Sequence, residues 1–219
     1  MSKIDTVISD FGGVLTTPLI QAFAAVQESH GIPLEAFGKG MALAAERDAG
    51  VQPLFELEKG AISERDFVAK LNAGISEAAG KPVDLDGYGD VFFSALHPND
   101  ELFAFMRELH GRGYRMAILT NNVREWEPLW RPMLPIDEIF ELVIDSAFVG
   151  LRKPDPAIYE LTLSRLGVSA ESAIFIDDLQ VNVEAARALG MHGVQFHDTD
   201  QAIAEIEAAL DGGPPSSAS

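Results

Sequence analysis

Side chains able to do chemistry gather at the ends of apolar runs in this sequence. Val7-Ile8-Ser9 meets Asp10 and then breaks at Gly12 and Gly13. Ala117-Ile118-Leu119 meets Thr120, Asn121 and Asn122, and Ile174-Phe175-Ile176 meets Asp177 and Asp178. Lys153 lies between the last two runs. Phosphoryl transfer through an aspartyl phosphate needs such a set. It takes a carboxylate nucleophile and a hard divalent cation on oxygen ligands, so that two anions can approach. It also takes a hydrogen-bond donor and a fixed positive charge to hold the phosphoryl oxygens as charge shifts. Asp10, the acids at 177 and 178, Thr120 and Lys153 supply these parts in that order.

Such residues converge only if the elements beneath them do. Residues 4–10, 114–119, 140–144, 173–176 and 193–196 read as short apolar strands without strict alternation, as expected for strands buried on both faces of a parallel sheet. Helical spacing separates them. Leu19, Phe23 and Val26 precede Gly31 and Pro33, and Leu34, Phe37 and Met41 precede Gly50. Ser63 to Asp66 has capping-box character. Further helices span Asp100 to His110, Pro156 to Gly167 with Asp155 leading, 179 to Leu189, and Asp200 to Leu210. Strands alternating with helices predict a doubly wound α/β parallel sheet, with ligands outside the carboxyl ends of the strands. The strandless stretch predicts an inserted all-helical domain at 16–95, with the core at 1–15 and 96–211. The GGPPSSAS end predicts a disordered tail over 212–219.

Composition narrows the partners. Of 219 residues, 34 are acidic and 16 basic, a formal charge of −18, which disfavours nucleic acid and an anionic membrane face. No run approaches the ~20 apolar residues of a membrane helix. Cysteine is absent, so thiolate metal sites and cysteine nucleophiles are excluded. A cytoplasmic location is expected, with the chain acting as a monomer or homodimer. The histidines at 30, 97, 110, 192 and 197 have no metal-ligand spacing.

The motifs ISDFGGVL, AILTNN, GLRKPDPAIYE and IFIDDLQVNVEAARALGM, in this order, resemble the haloacid dehalogenase-like hydrolase superfamily over nearly the whole chain. Together with ELEKGAISERDF they are most similar to phosphatases resembling the N-terminal domain of soluble epoxide hydrolase and bacterial sugar-phosphate phosphatases. The resemblance implies a Rossmann-like core with the helical insertion as a small cap, and Mg2+-dependent hydrolysis of small phosphorylated metabolites. By position it makes Asp10 the nucleophile, Thr120 the phosphate-binding hydroxyl and Lys153 the charge-neutralising base. Asn121 joins Thr120 and Lys153 as a candidate phosphate contact. Asp10, Asp177, Asp178 and the backbone carbonyl of Gly12 become the metal ligands.

One position departs from the pattern. The family usually places an acid two residues after the nucleophile, to protonate the leaving group, and this chain has Gly12. Glu58 and His97 are the candidate replacements from the helical insertion and its return. Phe55 and Trp126 are candidate substrate contacts. Plainer roles exist for each site residue: Asp10 as a turn cap, Asp177 and Asp178 as helix N-terminal acids, Lys153 as a surface charge, Asn121 and Asn122 as turn formers, and Asn182 as a helix-turn hydrogen bonder. Two other functions compete: a metal-independent dehalogenase, also lacking the second acid, and a non-catalytic binding member.

Overall fold

The computed structural model describes residues 3–210, so the tail expected at 212–219 lies outside the described residues. Strand β1 (Thr6–Ser9) is followed by helices α1 (Leu19–Ser29), α2 (Leu34–Arg47), α3 (Pro53–Glu58), α4 (Glu64–Ala79) and α5 (Tyr88–Ser94). Next come α6 (Asp100–Gly111), β2 (Arg115–Thr120), α7 (Glu127–Trp130), β3 (Leu142–Asp145) and α8 (Ser146–Val149). The remainder is α9 (Pro156–Leu166), β4 (Ala173–Asp177), α10 (Gln180–Ala188), β5 (His192–Gln195) and α11 (Thr199–Leu210).

All strand pairs are parallel, in the order β3-β2-β1-β4-β5. The α/β doubly wound class expected from the sequence is the one observed. β1 and β4 are buried along their whole length, which is why neither alternates. Their side chains divide between two apolar bodies. Val7, Met116, Ile118, Ile174 and Ile176 enter one, while Ile8, Ala117, Leu119 and Phe175 enter the other. The chain winds from β1 to β2 and β3 on one side and returns to β4 on the other, so the topological switch point falls between the carboxyl ends of β1 and β4.

Local chemistry sets the helix ends. Ser63 caps α4 in a reciprocal box with Asp66, and Gly80 ends that helix in the left-handed region. Asp155 caps α9, Pro156 fills its first position and Gly167 closes it at φ 69°. Among the described residues α1 to α5 form a strandless segment. Within it α2 and α4 cross at Gly40 and Gly74, where a Cβ on Gly40 would overlap Ile75 and one on Gly74 would overlap the Gly40 carbonyl. The segment leaves and rejoins the rest at one place: Thr17 N donates to His97 O (2.8 Å) and Asn99 N to Leu15 O (2.9 Å). Leu57, Phe67 and Phe92 belong to one buried apolar cluster with Met116 and Ile118, so the core is continuous from these helices to the sheet. No described helix is long and apolar enough to cross a membrane.

Candidate active site

Two neighbouring strands bring the central acids together. Asp10 follows β1 directly, and its N–H donates to Ile176 O (2.8 Å), extending the ladder toward β4, whose last residue is Asp177. The Asp10 Oδ1 accepts from the Phe11 N–H (2.7 Å), and the Ser9 hydroxyl donates to the Asp10 carbonyl (2.7 Å). Lys153 Nζ bridges the pair, 2.9 Å from Asp10 Oδ1 and 2.7 Å from Asp177 Oδ2. Only 1% of the lysine is exposed, so it is no surface charge.

Each of these groups is itself held. Asn121 clamps the main chain of Lys153, accepting from its N–H (2.8 Å) and donating to its carbonyl (3.0 Å). Asp177 Oδ1 accepts from the Leu179 N–H and from Asn182 Nδ2, both at 2.9 Å. The Asn182 carbonyl in turn accepts from the Tyr159 hydroxyl (3.0 Å). Asn182 is therefore a buried positioning group for a site carboxylate, a role sequence reasoning missed. Its one sequence signal is its place five residues beyond Asp177, a turn into α10.

The charge does not balance. Asp10, Asp177 and Asp178 offer oxygens within 4.8 Å of one another, against one ammonium. Burial pushes the Asp10 carboxyl up to about 8; Lys153 opposes this, and Asp177 and Asp178 add to it. Asp178 is raised by burial and then by Asp177. Burial works against the Lys153 ammonium, but Asp10 and Asp177 outweigh it and its net displacement is upward. Three hard oxygen donors around an excess of negative charge fit a divalent cation such as Mg2+, for which Asp10, Asp177 and Asp178 are the side-chain ligands on hand.

Two glycines shape this floor. At Gly13 the backbone is left-handed (φ +79°), and a Cβ would stand 2.6 Å from Asp178 Oδ2. Glycine there lets the third carboxylate approach. At Gly12 a Cβ would stand 3.1 Å and 3.3 Å from the two methyls of Leu19. The Leu19 side chain thus lies against the Gly12 backbone, where a Cβ would begin.

A narrow cavity of about 70 Å³ is lined by Phe11 and Gly12, which follow Asp10, and by Thr120 and Asn121. Trp126 and Glu58 also line it. Phe55 does not: it is exposed, with the Arg152 guanidinium 3.9 Å above its ring. His97 is not among the lining residues either, and its main chain is bound to Thr17. Glu58 pairs with Arg152 at 2.6 Å; burial raises its carboxyl, and Arg152 and then Lys153 oppose that without reversing it. A wider cleft of about 460 Å³ shares Tyr88 and Trp126 with the cavity but touches none of Asp10, Thr120, Lys153 or Asp177.

Comparison with known proteins places the chain in a family and a fold. The family model of haloacid dehalogenase-like hydrolases matches residues 4–190. The mouse protein called acyl-CoA dehydrogenase family member 10 is 32% identical over 93% of this chain, which corresponds to 19% of that protein. Glyceraldehyde 3-phosphate phosphatase of Pyrococcus abyssi is 37% identical over 43% of this chain and 44% of its own. The chain thus spans less than half the length of these two relatives. A haloacid dehalogenase family enzyme of Bacteroides thetaiotaomicron, solved with magnesium and inorganic phosphate, has a TM-score of 0.64 at 21% identity, covering 89% of this chain and 94% of that one. A 2-haloacid dehalogenase of Pseudomonas syringae pv. Tomato DC3000 shares the fold as closely, with a TM-score of 0.65 at 18% identity over 95% of this chain and 99% of its own.

Proposed function

Since the chain belongs to the haloacid dehalogenase-like hydrolases, we propose that it is a Mg2+-dependent phosphatase of small phosphorylated metabolites, working through an aspartyl phosphate. The observation that carries this reading is the Lys153 ammonium held between Asp10 and Asp177, with Asp178 completing an oxygen cluster. A cation there supplies neutralisation between the carboxylate and an incoming phosphate. Asp10 attacks phosphorus with one carboxylate oxygen, and the bond to the leaving-group oxygen breaks. Thr120, at the end of β2, donates to a phosphoryl oxygen, and Lys153 holds the charge that develops. Water then attacks the phosphorus of the aspartyl phosphate, releasing phosphate and restoring the Asp10 carboxylate.

The leaving group needs a proton that Gly12 lacks the means to give. Glu58 lines the same cavity as Gly12 and Thr120, and burial displaces its carboxyl upward against the opposing pull of Arg152. We assign it as the donor. General acid catalysis contributes roughly 10²–10⁴-fold. Asn121, whose side chain is committed to the backbone of Lys153, acts by fixing that lysine.

The dehalogenase alternative has Gly12 in its favour. Against it stand three converging carboxylates that a metal-independent attack on carbon does not use. A screen of phosphorylated metabolites with and without Mg2+ tests the reading, with Asp10→Asn as control. Phosphate release that needs both Asp10 and Mg2+ supports it; halide release in the presence of chelator, without phosphatase activity, overturns it.

A further inference from the structure

We propose that the leaving group of the substrate is a compact apolar alcohol or phenol, seated in the cavity above Gly12. The inference rests on the phosphatase reading for its reaction, and on the cavity alone for its choice of ligand. Leu19, Phe23, Leu54, Phe92, Phe93 and Trp126 line the cavity. The rings form one packed group: Phe23 meets Phe92 edge-on at 5.1 Å, Phe92 stacks on Trp126 at 5.5 Å, and Phe93 meets Trp126 edge-on at 5.4 Å.

Of the polar groups that line the cavity, the Asn121 amide, the Asn122 Oδ1 and the Glu58 carboxylate are engaged, and the Trp126 N–H is buried without a hydrogen-bond partner. Asn121 holds the backbone of Lys153, Asn122 Oδ1 accepts from the Val123 N–H (2.9 Å), and Glu58, paired with Arg152 through Oε2, is given to the ester oxygen in the proposed reaction. Thr120 faces the phosphate in the proposed reaction. A polyhydroxylated leaving group would bury its hydroxyls against rings and methyls and lose their hydrogen bonds to water. An apolar one exchanges water for those same surfaces. Gly12 fits this picture: its missing side chain leaves room for Leu19, so the floor beside the nucleophile is hydrocarbon where an acid would stand. The volume of about 70 Å³ sets the size, well below that of a drug-sized ligand pocket.

The test compares two monoesters of equal heavy-atom count, 2-methylbutyl phosphate and glycerol 1-phosphate, by kcat/KM in Mg2+. It then compares binding of their non-hydrolysable counterparts, 2-methylbutylphosphonate and 2,3-dihydroxypropylphosphonate, by calorimetry. A preference of roughly 10²-fold for the apolar member is expected in both, narrowed in Leu54→Asn. Equal or reversed binding, binding of neither phosphonate, or a ratio unmoved by Leu54→Asn overturns the inference. If the phosphonates bind with the expected ratio but no monoester is hydrolysed in an Asp10-dependent way, the cavity assignment stands and the phosphatase reading falls.

Discussion

Gly12 deprives the site of a side-chain acid and gives Leu19 a place to sit. An acid installed at position 12 meets the Leu19 methyls at about van der Waals contact or closer. Gly12→Asp alone should therefore gain little, since Glu58 already protonates the leaving group in the proposed reaction. Gly12→Asp with Leu19→Ala should instead restore to a Glu58→Gln enzyme most of the roughly 10² in kcat that it loses on a simple alkyl phosphate. The mirror variant, Glu58→Gln, should slow alkyl phosphates by a similar factor and leave p-nitrophenyl phosphate nearly unchanged, because its leaving group needs no proton. A uniform loss on both substrates would make Glu58 a structural partner of Arg152 and nothing more.

A second buried acid affects stability rather than chemistry. Asp145 caps α8 through Oδ1, and its Oδ2 has no hydrogen-bond partner. Burial raises its carboxyl to about 6; the Ala147 N–H opposes this, and Glu127 adds to it. A raised carboxyl favours the folded state while protonated, so its contribution is present below about pH 4 and lost as pH rises through about 6. Asp145→Asn keeps the capping oxygen without the charge. The variant should gain roughly 1–3 kcal/mol over the parent at pH 7.5 and none at pH 4, read by denaturant unfolding at both pH values.

Among the elements, β1, β2 and β4 were readable because the chemistry marks their ends: an apolar run that stops on Asp10, Thr120 or Asp177 announces both a strand and its direction. Their bounds moved by one or two residues, as with Thr6–Ser9 against residues 4–10, because burial and not residue type decides where the ladder stops. The capping residues Ser63, Asp155 and Gly167 act locally, and their helices end where those residues direct. The short α3 and α5 gave no periodic signal, having too few turns. α3 matters most, since it carries Glu58 and Leu54 to the cavity. The commitment of Asn121 to Lys153 and the approach of Leu19 to Gly12 are tertiary facts with no local signature. The crossing of α2 and α4 is another. Gly74→Ala should push these helices apart and lower stability by about 1–3 kcal/mol, as overpacking does elsewhere. An unchanged unfolding midpoint would contradict the close approach of the two backbones.

On the scale of the molecule, a chain of net charge −18 gathers three carboxylates at one switch point and answers them with one buried lysine. The described residues of α1 to α5 hold no strand, as their helical spacing suggests, and the parallel sheet could be foreseen from alternating patterns. The continuity of one apolar cluster from Phe67 and Phe92 in the insertion to Ile118 in the sheet could not, because it depends on how the two parts meet. That cluster joins the helices that line the cavity to the strands that carry Asp10, Thr120 and Asp177.

The most direct measurement is a crystal structure of the protein with beryllium fluoride and Mg2+, paired with 19F NMR of the same mixture. The account predicts a beryllium bonded to one carboxylate oxygen of Asp10, with the metal on the oxygens of Asp10, Asp177 and Asp178, and loss of the signal in chelator or in Asp10→Asn. Beryllium fluoride free in solution, or bound anywhere but Asp10, would contradict it.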